Sequence, residues 1–258
     1  MRSRHYSPTM DLVFSEAPSV EISRLLILVP HGAEYQAVVG AIKNNPHSPV
    51  ILAIPVGKLA VTHYLQDWQQ NNPVFSPSGV ILMGLGGSLS AEFGLGQAVV
   101  LESCLNYQND QADQEQYSDR ILTDWVKQKL GRNLRRVQGL TSDRVITNAT
   151  EKQALGKRFN CQVVEMEGWA VLSFFRQLGI PATIIRVISD EVSQSLPDLS
   201  KIYNTQGQLN AIALSLALGK QPIAGYKLIV GSLKSLKILN KITKKLLSSS
   251  INDDDFDP

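Results

Sequence analysis

Short hydrophobic runs alternate with segments of helical spacing along most of this chain. The first run, Leu25–Pro30 (LLILVP), is continuously apolar, which is typical of a strand buried on both faces. A turn at His31-Gly32 follows, and then AEYQAVVGAI, in which apolar positions recur with the period of a helix. This order predicts a strand, a loop and a helix as the opening unit of the fold.

The same alternation continues towards the carboxyl end. Further strands are predicted at residues 50–56, 79–83, 97–102, 139–146, 161–166 and 183–188, and helices at 119–130, 168–178 and 208–218. Gly179 stands where a left-handed helix cap is common, and residues 84–88 (GLGGS) predict a glycine-rich turn from strand to helix. The pattern predicts a single α/β domain with a mixed, mostly parallel central sheet flanked by helices.

The two ends of the chain differ from its middle. Residues 1–22 contain no continuous apolar segment, so we expect a flexible extension without a secretory signal before a single folded domain at 23–220. Residues 221–247 predict a basic amphipathic helix, and 248–258 predict a disordered acidic tail. The helix could pack on the domain with a solvated lysine face, which we favour, or lie weakly on a membrane surface.

Composition narrows the function classes. The chain has 258 residues, 43% of them hydrophobic, and a formal net charge of only +2, so no basic field argues for nucleic acid. Cys104 and Cys161 show no metal-binding spacing and are expected to be reduced thiols of a cytoplasmic protein. No apolar run reaches the ~18 residues of a membrane span. We expect neither a cofactor nor a metal.

Polar residues follow four predicted strands, at the edge where open parallel sheets bind ligands. In chain order they are Glu34, the segment 84–88, the triplet Glu165-Met166-Glu167 and the pair Ser189-Asp190. Taken alone, Asp190 could be a general acid, or it could be a helix N-cap or turn residue. Glu165 and Glu167 could hold a sugar or be solvated, and Glu34 could orient a water or begin a helix.

Two motifs give these residues a context. VEMEG at 164–168 is followed, after a predicted helix, by RVISD at 186–190. With LVPHGAEYQAV, GLGGSL and SDRVITN followed by a lysine, they resemble the nucleoside phosphorylase and nucleosidase superfamily over about residues 24–218. The similarity is closest to methylthioadenosine/S-adenosylhomocysteine nucleosidase-like proteins. It implies cleavage of the N-glycosidic bond of a purine nucleoside of the adenosine type, with or without a 5′ substituent.

The resemblance also implies individual roles. Asp190 would be the general acid to purine N7, Glu167 would accept hydrogen bonds from the ribose hydroxyls, and Glu34 would activate the attacking water. The other candidates would contact the substrate or support these groups, and they are Met166, Glu165, Ser189, Arg186, Val145, Ile146, Leu85 and Gly86.

The resemblance implies that the nucleophile that attacks the ribosyl carbon is either water or phosphate. Leu85 stands where the hydrolases often have serine, and residues 81–83 (ILM) offer no arginine where hexameric phosphorylases bind phosphate. We therefore predict hydrolysis, with phosphorolysis as the alternative.

Two further hypotheses are an adenosyl-lipid substrate and a protein that binds nucleosides without catalysing a reaction. The proline-containing, basic segment after residue 219 also resembles the hopanoid-associated branch of this superfamily, whose members are thought to remove adenine from an adenosyl-lipid. An apolar 5′ substituent would suit Leu85. A non-catalytic nucleoside-binding protein is the alternative from another class, against which the presence of both Asp190 and Glu167 argues. Relatives form dimers or hexamers, so a homo-oligomer is expected.

Overall fold

A mixed eight-stranded sheet organises the chain. The computed structural model describes residues 20–42, 48–131, 133–199, 216 and 218–248. The strands are β1 (Leu25–Pro30), β2 (Val50–Ile54), β3 (Gly79–Ser88), β4 (Ala98–Gln108), β5 (Gln111–Tyr117), β6 (Arg135–Ser142), β7 (Val163–Glu165) and β8 (Ala182–Asp190). The helices are α1 (Ala33–Val39), α2 (Lys58–Asn71), α3 (Arg120–Leu130), α4 (Ala149–Phe159), α5 (Gly168–Gln177) and α6 (Pro222–Leu246). The predicted α/β domain with a mixed sheet and flanking helices is confirmed.

Strand pairing closes part of the sheet into a ring. β3 pairs with β8 in parallel and with β7 antiparallel, β8 pairs with β4 antiparallel, and β6 joins β4 to β7 through parallel pairs. β1 and β2 extend the sheet in parallel from β3, and β5 folds back on β4 as a hairpin. Every residue of β1 and β8 is buried, as their uninterrupted apolar character predicts. The carboxyl ends of β1, β3 and β8 therefore meet at one edge.

The predicted glycine-rich turn at residues 84–88 is wrong, because these residues continue β3. The glycines permit close approach instead of a change of direction. A Cβ on Gly86 would lie 2.9 Å from Val163 Cγ1, and one on Gly87 would lie 3.0 Å from Asp190 Oδ2. Close packing of side chains from the two neighbouring strands β7 and β8 explains this composition.

Other boundaries also moved. The strand predicted at 139–146 spans Arg135–Ser142, so Val145 and Ile146 lie in the loop before α4. β4 continues to Gln108 and turns through Asn109 and Asp110, both with positive φ, into β5, which the sequence pattern did not predict. The left-handed cap at Gly179 is confirmed by its φ of 67°. Most of the helix predicted at 208–218 falls outside the described residues.

Helix α6 crosses the carboxyl end of β8 at close range. Ser235 Oγ donates a hydrogen bond to the Ile188 carbonyl at 2.6 Å, and a Cβ on Gly231 would lie only 2.6 Å from the Ser189 carbonyl oxygen. Further along, Leu239 and Leu246 are fully buried with α1 and α3. Within the described ranges, no helix is long and apolar enough to cross a membrane. The helix therefore brings its first half directly over the end of β8.

Candidate active site

A cavity of about 350 Å³ opens where β1, β3 and β8 end. The structure brings the sequence-predicted residues to it, except Arg186 and Ser189, which are buried behind its wall. Among the described residues, no group of histidine, cysteine and carboxylate side chains could hold a metal ion. Lining residues that were not predicted are Pro30, Ala33, Val56, Gly87, Arg144, Val164, Leu196, Leu199, Leu228, Ser232 and Leu236.

Glu34 lies in the first turn of α1 and points at β3. Its Oε1 accepts a hydrogen bond from the Leu85 backbone N–H at 2.6 Å. Burial raises the pKa of the Glu34 carboxyl from 4.5 to about 7, against the lowering effect of that hydrogen bond. A carboxylate with a pKa near 7 is well suited to remove a proton at neutral pH. Because the bond uses the backbone of residue 85, leucine can make it as well as serine.

Arg186 is a fully buried cation in the middle of β8. Its Nη2 donates to Glu165 Oε2 at 2.5 Å and to Glu167 Oε2 at 2.9 Å. Burial alone would lower the pKa of the guanidinium, but the surrounding carboxylates raise it above its usual value. A Cβ on Gly84 would lie 2.4 Å from Arg186 Nη1 and 2.6 Å from Glu34 Oε1. Glycine at this position therefore lets both side chains approach the same part of β3.

The two carboxylates bound to Arg186 differ in what they leave available. Glu165 also accepts hydrogen bonds from the backbone N–H groups of Glu167 (3.0 Å) and Gly168 (2.7 Å) and from Thr141 Oγ1. Glu165 is thus committed to the start of α5. Glu167 has one further partner, the Gly57 N–H at 3.0 Å, and burial raises its pKa while Arg186 opposes the rise. Glu167 retains acceptor capacity towards the cavity.

Asp190 is the last residue of β8 and is 4% exposed. Its Oδ1 accepts a hydrogen bond from Ser189 Oγ at 2.8 Å, and its Oδ2 forms an ion pair with Lys152 Nζ. No helix begins here, since residues 191–199 form turns and loop, so the helix-cap interpretation is wrong. In the sequence, Lys152 is notable only as the lysine that follows SDRVITN, and the pattern did not predict its ion pair with Asp190.

The remaining walls are largely apolar. Val145 and Ile146 face the cavity from the loop before α4, and Met166 faces it from the turn between β7 and α5. The helix α6 adds Leu228, Ser232 and Leu236, a contribution that sequence reasoning missed. The signal was present in their spacing of four positions, which places all three on one face of a helix.

Comparison with known proteins decides the family. The sequence model of the phosphorylase superfamily matches residues 28–214, which is most of the chain. The protein belongs to the phosphorylase superfamily. This membership confirms the suspected family, and with it the prediction of an enzyme of the nucleosidase or phosphorylase kind. No curated protein matches the sequence at a significant level.

Solved structures of superfamily members share the fold. A 5′-methylthioadenosine/S-adenosylhomocysteine nucleosidase from Helicobacter pylori, in complex with butyl-thio-DADMe-Immucillin-A, is 15% identical with a TM-score of 0.64, covering 86% of this chain and 97% of its own. The futalosine hydrolase of the same organism has the same identity and TM-score, covering 86% and 96%. A putative nucleosidase from Borrelia burgdorferi bound to adenine is 16% identical with a TM-score of 0.61, covering 86% and 98%. At these identities the likeness establishes the fold alone.

Proposed function

We propose that this protein hydrolyses the N-glycosidic bond of a purine nucleoside of the adenosine type. The observation that supports this most strongly is the convergence of Glu34, Glu167 and Asp190 on one cavity from three separate elements. Related folds that carry nucleosidase names and bind adenine or nucleoside analogues agree with this substrate class. The three carboxylates would divide the reaction between leaving group, sugar and water.

Asp190 would act on the leaving group. Cleavage leaves positive charge on the ribosyl carbon and negative charge on the departing base, so a proton or hydrogen bond at purine N7 lowers the barrier. The apolar neighbours Val145, Ile146 and Met166 can pack against a purine and the sugar. This side of the cavity would hold the base.

Glu167 would hold the sugar. A buried carboxylate accepts hydrogen bonds from two vicinal hydroxyls, and Arg186 and the Gly57 N–H fix its orientation from behind. Glu165 would act through that same arginine and not through the substrate, since four donors within the protein already bond to its carboxylate. Ser189 and Arg186 would likewise support the binding groups from outside the cavity.

Glu34 would activate water. Its raised pKa lets it take a proton near neutral pH, and its hydrogen bond to Leu85 N–H fixes it beside β3. Phosphate would instead need cations. Among the described lining residues the cation is Arg144, and it pairs with Glu151 at 2.5 Å. The charge distribution therefore favours hydrolysis over phosphorolysis.

Release of free base from defined substrates tests the proposal. Methylthioadenosine, adenosylhomocysteine, adenosine and inosine would be incubated with the protein, with and without phosphate. We expect phosphate-independent release of adenine that Asp190→Asn slows by at least about 100-fold and that Asp67→Asn, an exposed control, leaves unchanged. Release only with phosphate would make the protein a phosphorylase. Tight binding without release would support the non-catalytic reading.

A lipid-linked substrate is the second candidate, favoured by helix α6. The helix lines the cavity with Leu228 and Leu236, while Ile223, Tyr226 and Leu233 are exposed. The helix carries six lysines and no acidic residue, which suits weak contact with an anionic membrane surface. Sedimentation with phosphatidylglycerol vesicles but not with phosphatidylcholine vesicles, lost in Tyr226→Ser/Leu233→Ser, would support this candidate. Equal sedimentation of both proteins would count against it.

We further propose a homo-oligomer. An open groove of about 530 Å³ adjoins the cavity, and Leu59, which lines it, is 67% exposed. The groove and the cavity share Val56, Arg144, Val145, Met166 and Leu199. A second copy seated there would cover this surface. Light scattering after size exclusion tests this: a mass of 28.4 kDa at micromolar concentration would contradict it.

A further inference from the structure

A second buried ion pair lies beside the cavity, between Lys152 of α4 and Asp190. The lysine is completely buried and uses its ammonium group fully. It pairs with Asp190 Oδ2 and donates to the carbonyl oxygens of Gln194 at 2.9 Å and Glu191 at 3.3 Å. Three acceptors match the three hydrogens of an ammonium group. Lys152 is therefore held in one place, and so is the carboxylate that it contacts.

A lysine in this position is costly unless it has a charged partner. Removing an ammonium group from water costs several kcal/mol, which an ion pair with good geometry offsets. Carbonyl oxygens alone would satisfy its hydrogens but not its charge. Asp190 supplies that charge, and its Oδ1 is meanwhile held by Ser189 Oγ. Each oxygen of the Asp190 carboxylate is therefore held by one donor, Oδ1 by Ser189 and Oδ2 by Lys152.

The same lysine fixes the chain that follows Asp190. Its bonds to residues 191 and 194 tie that loop to the start of α4, where the Leu196 N–H also bonds to the Thr147 carbonyl at 2.8 Å. Leu196 and Ile146 both line the cavity, one from each side of this junction. One helix start therefore sets the distance between the apolar wall and the carboxylate.

We propose that Lys152 is a positioning residue for the reaction, acting through Asp190. It holds the carboxylate in a single orientation relative to the wall formed by Ile146 and Leu196. This inference rests on the proposed function, in which Asp190 acts on the purine. Misplacement of a reacting group by about 1 Å can cost about 100-fold in rate. Loss of Lys152 should thus lower kcat about 100-fold and leave KM within about threefold.

The experiment compares five variants of the full chain in the adenine-release assay. Lys152→Met removes the charge, Lys152→Arg keeps it, and Lys157→Met alters an exposed lysine of the same helix. We expect the first to lose kcat, the second to recover at least about tenfold of that loss, and the third to match the wild type. Asp190→Asn, alone and combined with Lys152→Met, completes a double-mutant cycle.

The cycle separates positioning from general support of the fold. If Lys152 acts through Asp190, adding Lys152→Met to Asp190→Asn changes the residual kcat by less than about threefold, and it raises the melting temperature by removing a buried cation without a charge partner. A further large loss of activity in the double variant would overturn the inference. So would a Lys152→Met single variant with wild-type kcat.

The outcomes also distinguish this inference from the proposed function. Absence of base release by the wild type would refute the function itself. Base release that requires Asp190 but not Lys152 would refute the positioning role alone. If Lys152→Met does not fold, Asp190→Asn and Asp190→Asn/Lys152→Met can still be compared with each other. Neither protein contains a buried, unpaired Asp190 carboxylate, so this comparison still tests the inference.

Discussion

The two ionic clusters of the cavity are built differently. On one side, Arg186 holds Glu165 and Glu167, so two carboxylates share one cation. On the other, Lys152 holds Asp190 in a one-to-one pair. A single nitrogen of Arg186, Nη2, reaches from β8 to the last residue of β7 and to the β7–α5 turn, whereas the lysine joins a helix to a strand end. The first cluster braces the junction of β7, β8 and α5, and the second fixes Asp190, the proposed general acid.

Charge balance follows from this difference. The arginine cluster has an excess of negative charge, which contributes to the raised pKa of Glu167 alongside burial. Glu34 adds a third carboxylate near the same guanidinium and is itself raised to about 7. The cluster can therefore accept hydrogen bonds, as proposed for the sugar hydroxyls, and take up a proton, as proposed for the attacking water. The lysine pair has balanced charges, and its Asp190 carboxyl is the single group proposed to transfer a proton to the base.

The comparison is tested most strongly by removing one carboxylate from each cluster. Asp190→Asn should lower kcat by about 10²–10⁴-fold, the range for loss of a general acid. Glu167→Gln should cost only about 1.5–3 kcal/mol of binding, or about 10–150-fold in kcat/KM, expressed mainly in KM. Steady-state kinetics of base release would measure both. Equal losses in kcat would show that the two clusters do not divide the work as proposed.

Removing the arginine tests the bracing role. Arg186→Met leaves two buried carboxylates without their cation, so the free energy of unfolding should fall by about 3–5 kcal/mol. Urea denaturation followed by circular dichroism measures this change. Arg176→Met, on the exposed end of α5, is the matched control and should shift stability by less than about 0.5 kcal/mol. A small loss for Arg186→Met would mean that the carboxylates protonate or find water instead.

The pH dependence isolates Glu34 from both clusters. As a base it must be ionised, so activity should rise with pH through about 7, the pKa to which burial raises it. Stability should change with pH in the opposite direction. The raised pKa of Glu34 in the folded state stabilises that state fully below pH 4.5, the unfolded value, and this stabilisation is lost as pH rises through about 7.

Glu34→Gln is the test of that assignment. It should lose most of the activity, remove the acid limb of the pH profile, and flatten the decline in stability between pH 4.5 and about 7. Profiles of kcat/KM and of melting temperature at matched pH values measure the two effects. An unchanged acid limb in the variant would assign the titration to another group.

The sequence anticipated the members of the clusters better than their connections. Glu34, Glu167 and Asp190 were found because each follows a buried strand, where parallel sheets bind ligands. The Lys152–Asp190 pair was not found, because an ion pair between residues far apart in the chain leaves no periodic trace. The glycines of residues 84–88 were misread as a turn, since glycine marks both tight turns and close backbone packing. Both features depend on contacts between segments far apart in the chain, which a local sequence pattern does not record.

The smallest predicted effect concerns how α6 closes the base side of the cavity. A Cβ on Gly231 would lie 2.6 Å from the Ser189 carbonyl oxygen, so Gly231→Ala must move the helix away from the end of β8. Overpacking of this kind costs about 1–3 kcal/mol. Gly219→Ala is the control, since its Cβ would meet nothing within 4 Å, and alanine in a helix should be neutral or slightly stabilising there. Chemical denaturation would measure the difference in unfolding free energy, and KM would report displacement of Leu228 and Leu236. If both variants behave alike, α6 yields without disturbing β8, and the base side is less rigid than its lysine pair implies.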